Sequence, residues 1–366
     1  MDLAALGWDD FFAAAFSPHQ ERGWIPARVA VEQRGGYRLY SAEGEMAAQL
    51  SGKFRHQLAD RTQLPAVGDW VAVSASGQMG LIHALLPRKS RFVRRAPVSG
   101  GRKVRHIGGR EIVAGGATEA QVVAANIDTA LFMAGLDDNF NLRRIERFLT
   151  LVQSSGANPA IVLNKADLAA AAPYLAQVEK IAAGVPIHAL SALEGCGLEQ
   201  LVPYLTAGRT AAFIGSSGVG KSTLVNALLG QQRQAVQTLS QAVGKGRHTT
   251  SHRELIVLPV GGVIVDTPGM RELQIWGDER DLQQSFADIE ALIGQCRYTD
   301  CRHQDDPGCA VRQGLESGAL DNGRYQSYLR QKGELAYLAQ RQQEKKRRVD
   351  KGQRRSPGKG RDRPDW

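Results

Sequence analysis

The 366-residue sequence predicts a multidomain protein in which a small β-barrel precedes a doubly wound α/β domain and a helical C-terminal domain. Three changes of texture predict it. Residues 24–95 alternate short strand-like runs with Gly/Pro turns. Residues 112–276 alternate apolar strands with helical patterns. From Asp278 onward the pattern is helical around a compact Cys/His cluster. The length exceeds one typical domain, and 43% hydrophobic residues suffice for cores of this size.

The N-terminal extension, residues 1–23, reads MDLAALGWDDFFAAAF at its start. It lacks a basic leader and carries Asp9 and Asp10, so it reads as an amphipathic helix on Leu6, Phe12 and Phe16, not as a signal peptide. No apolar run approaches the roughly 18 residues of a membrane span. A cytoplasmic location without a membrane partner is expected.

In residues 24–111, WIPARVAVEQ, YRLYSA, GDWVAVSA and MGLIHALL read as strands, with hairpin turns at RGG and SASG. Five strands in about 75 residues suit an OB-type barrel, though SH3-like barrels leave a similar pattern. Residues 112–276 then give strands IDTALFMAG, PAIVLNKADL, VPIHALSA, TAAFIGSSG, ELIVLPV and GVIVDTPG. Helices RRIERFLTLVQSSG, AAAPYLAQVEKIAAG, LEQLVPYLTAG and KSTLVNALLG lie between them, which predicts a parallel sheet wrapped by helices. Residues 277–340 form the helical domain, and 341–366 a basic, flexible tail.

The net charge of +9 is uneven. Residues 341–366 hold eleven Lys/Arg against four Asp/Glu, and residues 88–110 hold nine Lys/Arg and no acid. Two separated basic regions point to a polyanionic partner, of which nucleic acid is the commonest.

GSSGVGKS, residues 215–222, matches G-x-x-x-x-G-K-[ST] in full, after an apolar strand and opening a helix. Gly215, Gly218 and Gly220 let the backbone turn its N–H groups onto a phosphate, and the helix N-terminus adds positive potential. Lys221 neutralises β/γ-phosphate charge and the Ser222 hydroxyl ligates Mg²⁺. DTPG, 266–269, ends a strand 44 residues after Ser222. Asp266 is placed to hold Mg²⁺ directly or through water, and the Gly269 N–H to touch the γ-phosphate.

NKAD, residues 164–167, supplies base choice. Asp167 accepts from the ring N–H and exocyclic amine of guanine; adenine leaves that carboxylate unpaired. Asn164 braces the loop and the Lys165 stem covers a face of the base. SAL, beginning at Ser191 and Ala192, is the second base loop, with a backbone N–H for the guanine carbonyl. The base loops therefore precede the phosphate loop, a rotated order that a doubly wound sheet tolerates when its original termini lie close.

Between the P-loop and DTPG lies GKGRHTTS, 244–251, where Thr249 or Thr250 is placed to close on Mg²⁺ and γ-phosphate as a nucleotide-ordered switch. Ras-like GTPases place a water-orienting Gln directly after DxxG; here that residue is Met270. Slow intrinsic hydrolysis follows, with His248 as the candidate to position water once an activator orders the loop. Cys296, Cys301, His303 and Cys309 lie within fourteen residues. Three thiols and an imidazole make a closed tetrahedral set, the mark of structural Zn²⁺. Cys196 stands apart and reads as a structural thiol.

The rotated order, GRHTTS, DTPGM and Cys-x4-Cys-x-His-x5-Cys together resemble the circularly permuted bacterial GTPases of small ribosomal subunit biogenesis, over residues 24–340. The resemblance implies an OB domain on 16S rRNA, a central P-loop GTPase, a zinc domain and hydrolysis stimulated by the 30S subunit, with a late maturation and release role for a monomer cycling between GTP and GDP. By position it implies that Asn164, Lys165, Asp167, Gly215, Ser216, Ser217, Gly218, Val219, Gly220, Lys221, Ser222 and Thr223 bind GTP, and the motif reading adds Ala166, Ser191, Ala192, Asp266 and Gly269. Lys221, Thr250 and His248 are the catalytic candidates, and Ser222, Thr249, Thr250 and Asp266 the Mg²⁺ candidates. The rival readings are a GTP-binding, RNA-associated switch with negligible turnover and a P-loop ATPase.

Overall fold

A computed structural model of the chain describes residues 1–33, 35–58, 60–76, 79–95, 104–107, 110–113, 120–230, 254–266 and 279–354. The chain divides into two compact units, Met1–Trp276 and Gly277–Trp366.

The first unit opens with a closed five-stranded barrel of β1 (Ile25–Gln33), β2 (Gly36–Ser41), β3 (Gly44–Leu50), β4 (Trp70–Ser76) and β5 (Met79–Leu85). Their order is β1-β2-β3-β5-β4, and β4 pairs back onto β1. The OB-type reading holds. The strand that no quoted run marked is β3, GEMAAQL, whose burial alternates but whose small and polar side chains carry little β signal in the sequence. Ala27, Val29, Leu39, Val71, Val73 and Ile82 fill the interior. Outside it, helix α1 (Asp10–Gln20) is N-capped by Asp9, which accepts from the Phe11 and Phe12 amides. Its Phe12 and Phe16, with Leu6, are buried as expected, and Trp8 stacks edge-on to Trp70 at 4.7 Å. A second helix, α2 (Gly52–Gln57), links β3 to β4.

Beyond the barrel, β6 (Arg91–Arg95) pairs with β9 (Ala120–Ala125), and β7 (Val104–Ile107) with β8 (Arg110–Val113), all antiparallel. The α/β sheet comprises β10 (Thr129–Gly135), β11 (Asn158–Asn164), β12 (Ile187–Ala189), β13 (Thr210–Gly215), β14 (Glu254–Val257) and β15 (Val263–Asp266), in the order β12-β11-β10-β13-β15-β14. The first five are parallel. The edge strand β14 is antiparallel to β15, against the all-parallel expectation. The link between them is too short for a crossover: Leu258 N–H donates to Gly262 O at 2.8 Å, and Gly261 turns with φ 92°. Strand β14 also pairs antiparallel with β1, Val31 opposite Glu254, so barrel and α/β sheet are continuous. Arg38 Nη2 donates to Glu254 Oε1 at 2.7 Å across this seam.

Helices α3 (Leu142–Gln153), α4 (Ala172–Glu179) and α5 (Lys221–Leu229) accompany the sheet, with Ile145, Phe148, Leu149 and Val152 forming the buried stripe of α3. Leu198–Tyr204, expected as an α-helix, is a 3₁₀ segment. Pro203 removes a donor in its last turn, and such short pieces favour the tighter bonding.

At the amino ends of β10 and β13, Arg28 leaves β1 on the face opposite Ala27 and Val29 and is 1% exposed. It donates to Gly68 O at 3.1 Å, Thr210 Oγ1 and Asn126 O at 2.9 Å each, and to Leu6 O. One side chain thus joins the N-terminal extension, the barrel and the α/β sheet.

The second unit contains α6 (Glu279–Ser285), α7 (Ala287–Ile293), α8 (Ala310–Glu316) and α9 (Asn322–Arg354). Leu282, Phe286, Ile289, Val311, Leu320, Tyr325 and Tyr328 pack with Cys309. Arg324 clamps Asp288 with two bonds of 2.7 Å. Helix α9 runs to Arg354, into the segment expected to be a flexible tail from 341. RQQEKKRRVDKGQR contains no proline and a single glycine, and straight-chain residues sustain a helix already begun.

Candidate nucleotide site and metal centre

Parallel strands of a doubly wound sheet present their loops at the carboxyl ends, and ligands bind where the strand order reverses. That point lies between β10 and β13: the chain runs from β10 outward through β11 to β12, then returns to β13 on the other side. The loops converging there are residues 136–141 after β10, NKAD after β11, SAL after β12 and the P-loop after β13.

Asn164 ties three of them together. It is 2% exposed; its Nδ2 donates to Val219 O in the P-loop at 2.7 Å, and its Oδ1 accepts from Ala192 N–H at 2.9 Å. Leu136 N–H adds the fourth loop, donating to Asn164 O at 2.8 Å. The base loops and phosphate loop, separated by 55 residues between Asn164 and Val219, are therefore physically one site. Gly220 permits this approach: it sits at φ 96°, and a Cβ there would overlap the Asn164 amide.

Asp167 is held by Ser191, whose Oγ donates to Asp167 Oδ1 at 2.5 Å. Ala166 N–H donates to Leu190 O at 3.1 Å. The backbone N–H groups of Ser191 and Ala192, of the kind expected to face a guanine carbonyl, donate to Cys196 O at 3.0 Å and to Asn164. Cys196 itself is exposed, contrary to the structural-thiol reading. Lys221, opening α5, donates to Gly215 O and Ser216 O at 2.8 and 2.7 Å, so its ammonium lies over the loop. Gly218 adopts φ 80° as a curled phosphate loop requires. Ser216, Ser217, Ser222 and Thr223 lie in the same loop and the first turn of α5. Asp266 ends β15, which runs parallel to β13 with Ala212 opposite Val265, and so lies beside the strand that enters the P-loop. His248, Thr249, Thr250, Gly269 and Met270 lie outside the described residues.

Sequence reading missed Asp137. It follows β10 and receives the Lys165 ammonium at 2.6 Å. Burial opposes its ionisation, but Lys165 and the Asn139 amide hold its carboxyl below the usual range. Its only sequence signal is its place at a strand's carboxyl end.

In the second unit, the donor atoms of Cys296, Cys301, His303 and Cys309 lie within 4.8 Å of one another. His303 Nδ1 is 3.6 Å from both Cys296 Sγ and Cys309 Sγ. A tetrahedral zinc with ordinary Zn–S and Zn–N bonds gives an S···N edge of about 3.5 Å, so the cluster fits the ion. The electrostatics agree. Burial and the Lys332 charge draw the His303 pKa down, toward the neutral form that a ligand needs. Burial and the adjacent Cys309 and Cys296 thiols push Cys301 up to about 11, a repulsion that a bound dication relieves. Against the cost of burial, the amides of Val311 and Ala310 draw Cys296 downward.

Fold and site define a P-loop GTPase of circularly permuted order. The family model described as RsgA GTPase matches residues 110–276. An ABC transporter model also matches residues 198–356, a stretch that holds the P-loop but neither NKAD nor SAL. The chain is 48% identical to the small ribosomal subunit biogenesis GTPase RsgA of Opitutus terrae, covering 93% of this chain and 92% of that one. It is 44% identical to that of Syntrophotalea carbinolica, over 92% and 90%. The crystal structure of YjeQ from Thermotoga maritima superposes with TM-score 0.59 at 26% identity, over 86% of this chain and 99% of that one. YloQ, described as a circularly permuted GTPase, shares the fold at TM-score 0.57, 21% identity and 86% and 96% coverage. The chain belongs to the RsgA GTPase family and is a GTP phosphohydrolase.

Proposed function

We propose that this GTPase works on the small ribosomal subunit, binding 16S rRNA through its barrel and basic segments. Hydrolysis, stimulated by the 30S subunit, times late maturation and release of the factor. The support is the function for which relatives at 44–48% identity are named, small ribosomal subunit biogenesis, together with a basic stretch that follows an OB-type barrel in the sequence. The observation that supports the nucleotide half is the Asn164 bridge, which hydrogen-bonds the NKAD loop to the P-loop and to the SAL loop.

In this reading Asp167 pairs with guanine while the Lys165 stem covers its face. The P-loop from Gly215 to Thr223 wraps the phosphates, and Lys221 neutralises charge developing between β- and γ-phosphate. Ser222 and Asp266, joined by Thr249 or Thr250, are the groups to hold Mg²⁺, which when bound shields the phosphate oxygens. His248 is the candidate to position water, and Gly269 to sense the γ-phosphate. Cys296, Cys301, His303 and Cys309 hold one structural Zn²⁺. Among the described residues no helix is long and apolar enough to cross a membrane; the working form is a cytoplasmic monomer.

The test is phosphate release titrated with purified 30S subunits at two salt concentrations. Saturable stimulation whose midpoint rises steeply with salt is expected, because phosphate contacts release counterions. Turnover indifferent to subunits would overturn the ribosomal reading.

A further inference from the structure

We propose that Asp137 is a positioning residue for guanine nucleotide binding, acting through Lys165. The proposal rests on the guanine-site reading above.

Lys165 occupies the left-handed region, φ 69°, where a side-chain-bearing residue is strained. Such a conformation persists only where its surroundings hold it. The hold comes from both ends. Ala166 N–H is fastened to Leu190 O and Leu168 N–H to Lys165 O, while the ammonium is fastened to Asp137 Oδ2 at 2.6 Å. The two side chains are 17% and 23% exposed, so the pair is shielded without being sealed from solvent.

Asp137 is itself fixed. Its Oδ1 accepts from Asn139 N–H at 3.1 Å, and its carbonyl from Phe140 N–H at 2.9 Å. Gly135 leaves it room: a Cβ there would stand 2.7 Å from Asp137 Oδ1. The loop carrying Asp137 and the loop carrying Lys165 are also joined at their bases, where Leu136 N–H donates to Asn164 O at 2.8 Å.

A free lysine stem samples many rotamers, and ordering it over a base costs affinity. Asp137 removes that cost by stretching the stem between a strained backbone and a fixed anion before the nucleotide arrives, which is preorganisation. The nucleotide then meets a lysine stem already ordered, so the effect of Asp137 is read on binding.

The experiment uses the full chain with a fluorescent GDP analogue, in wild type, Asp137→Ala, Asp137→Asn, Lys165→Ala and the Asp137→Ala/Lys165→Ala double variant. Asp137→Ala is expected to release nucleotide roughly 10-fold faster and to raise KM for GTP in proportion, with the change falling on KM and not on kcat. Asp137→Asn, which keeps an oxygen for Lys165 and Asn139, is expected to recover part of the loss. The double variant is expected to match Lys165→Ala alone, because one residue acts through the other. Release from Asp137→Ala at the wild-type rate, or effects that add in the double variant, would overturn the proposal. Should Asp137→Ala fail to fold, the same comparison is made with Asp137→Asn. Normal release from Lys165→Ala would instead sink the guanine-site reading, so the two failures are distinguishable.

Discussion

Two polar hubs hold the first unit together, at opposite ends of the same strands. Arg28 joins Leu6, Gly68, Asn126 and Thr210 at the amino ends of β10 and β13, its bond to Thr210 spanning 182 residues of sequence. Asn164 joins the base loops to the P-loop at the carboxyl ends. Each fastens segments remote in sequence, but with different chemistry. Arg28 spends its donors on neutral oxygens with no carboxylate in contact; burial draws its pKa down to about 10, against the pull of Asp128 and Asp69. Its donors are satisfied within the protein, an arrangement that serves stability. Asn164 fixes only a frame, tying the loop that carries Asp167 to the P-loop that leads into Lys221. One hub joins segments through an internally satisfied cation, the other through a neutral amide between two loops.

The largest effect is expected in the second unit, where neither hub acts. Stripping zinc with a chelator should unfold the small helical core around Cys309, since metal binding and folding are one process in such clusters. Far-UV circular dichroism should fall while GDP affinity in the first unit is retained. Loss of both together would show that the units are not independent in this respect.

Next comes Arg28→Ala, expected to cost about 3 kcal/mol or more by leaving several buried acceptors unpaired. Urea unfolding followed by the fluorescence of Trp70 and Trp8 measures it. A cost below about 1 kcal/mol would mean that the amino-end hub is not a stability element. Asn164→Ala removes two buried hydrogen bonds, a local stability cost of about 2–3 kcal/mol, and by loosening the frame between the two loops it should also weaken GTP binding, by roughly 10-fold or more. If its melting temperature fell as far as that of Arg28→Ala with affinity intact, the contrast between the hubs would fail.

The smallest effect concerns Asp288. Burial opposes its ionisation, but Arg324 and local amides leave its pKa lowered. A depressed carboxyl contributes stability above its unfolded pKa and loses it as pH falls through the folded value. The second unit should therefore weaken below about pH 4, by under about 1 kcal/mol because the carboxylate is half-exposed. Asp288→Asn should flatten that slope in acid titration of the zinc-bound protein.

The sequence made local devices readable. The P-loop, NKAD, SAL and the Cys/His set are contiguous, and their spacing alone implies their geometry. The N-terminal helix was legible from Phe12 and Phe16, whereas Leu6, expected on the same helix, is buried from the turn that precedes it. Long-range partnerships were not. Arg28 reads as a surface residue of an alternating strand until the N-terminal extension and Thr210 arrive to surround it. Asp137 is one acid among several until Lys165 folds onto it, 28 residues later in the chain. The direction of β14 depended on the tightness of the 258–262 link, and the 3₁₀ form of Leu198–Tyr204 on Pro203.

The central claim is that Asp167 and Lys221, read in reversed order along the chain, serve one guanosine triphosphate. Asp167→Asn tests it most directly. The change replaces an acceptor of two guanine N–H groups by an amide that suits the added carbonyl of xanthine. Competition against labelled nucleotide should show GTP affinity falling on the order of 100-fold or more and XTP affinity rising, with P-loop contacts unaltered. Unchanged GTP binding, with no gain for XTP, would place base recognition elsewhere and contradict the single-site account.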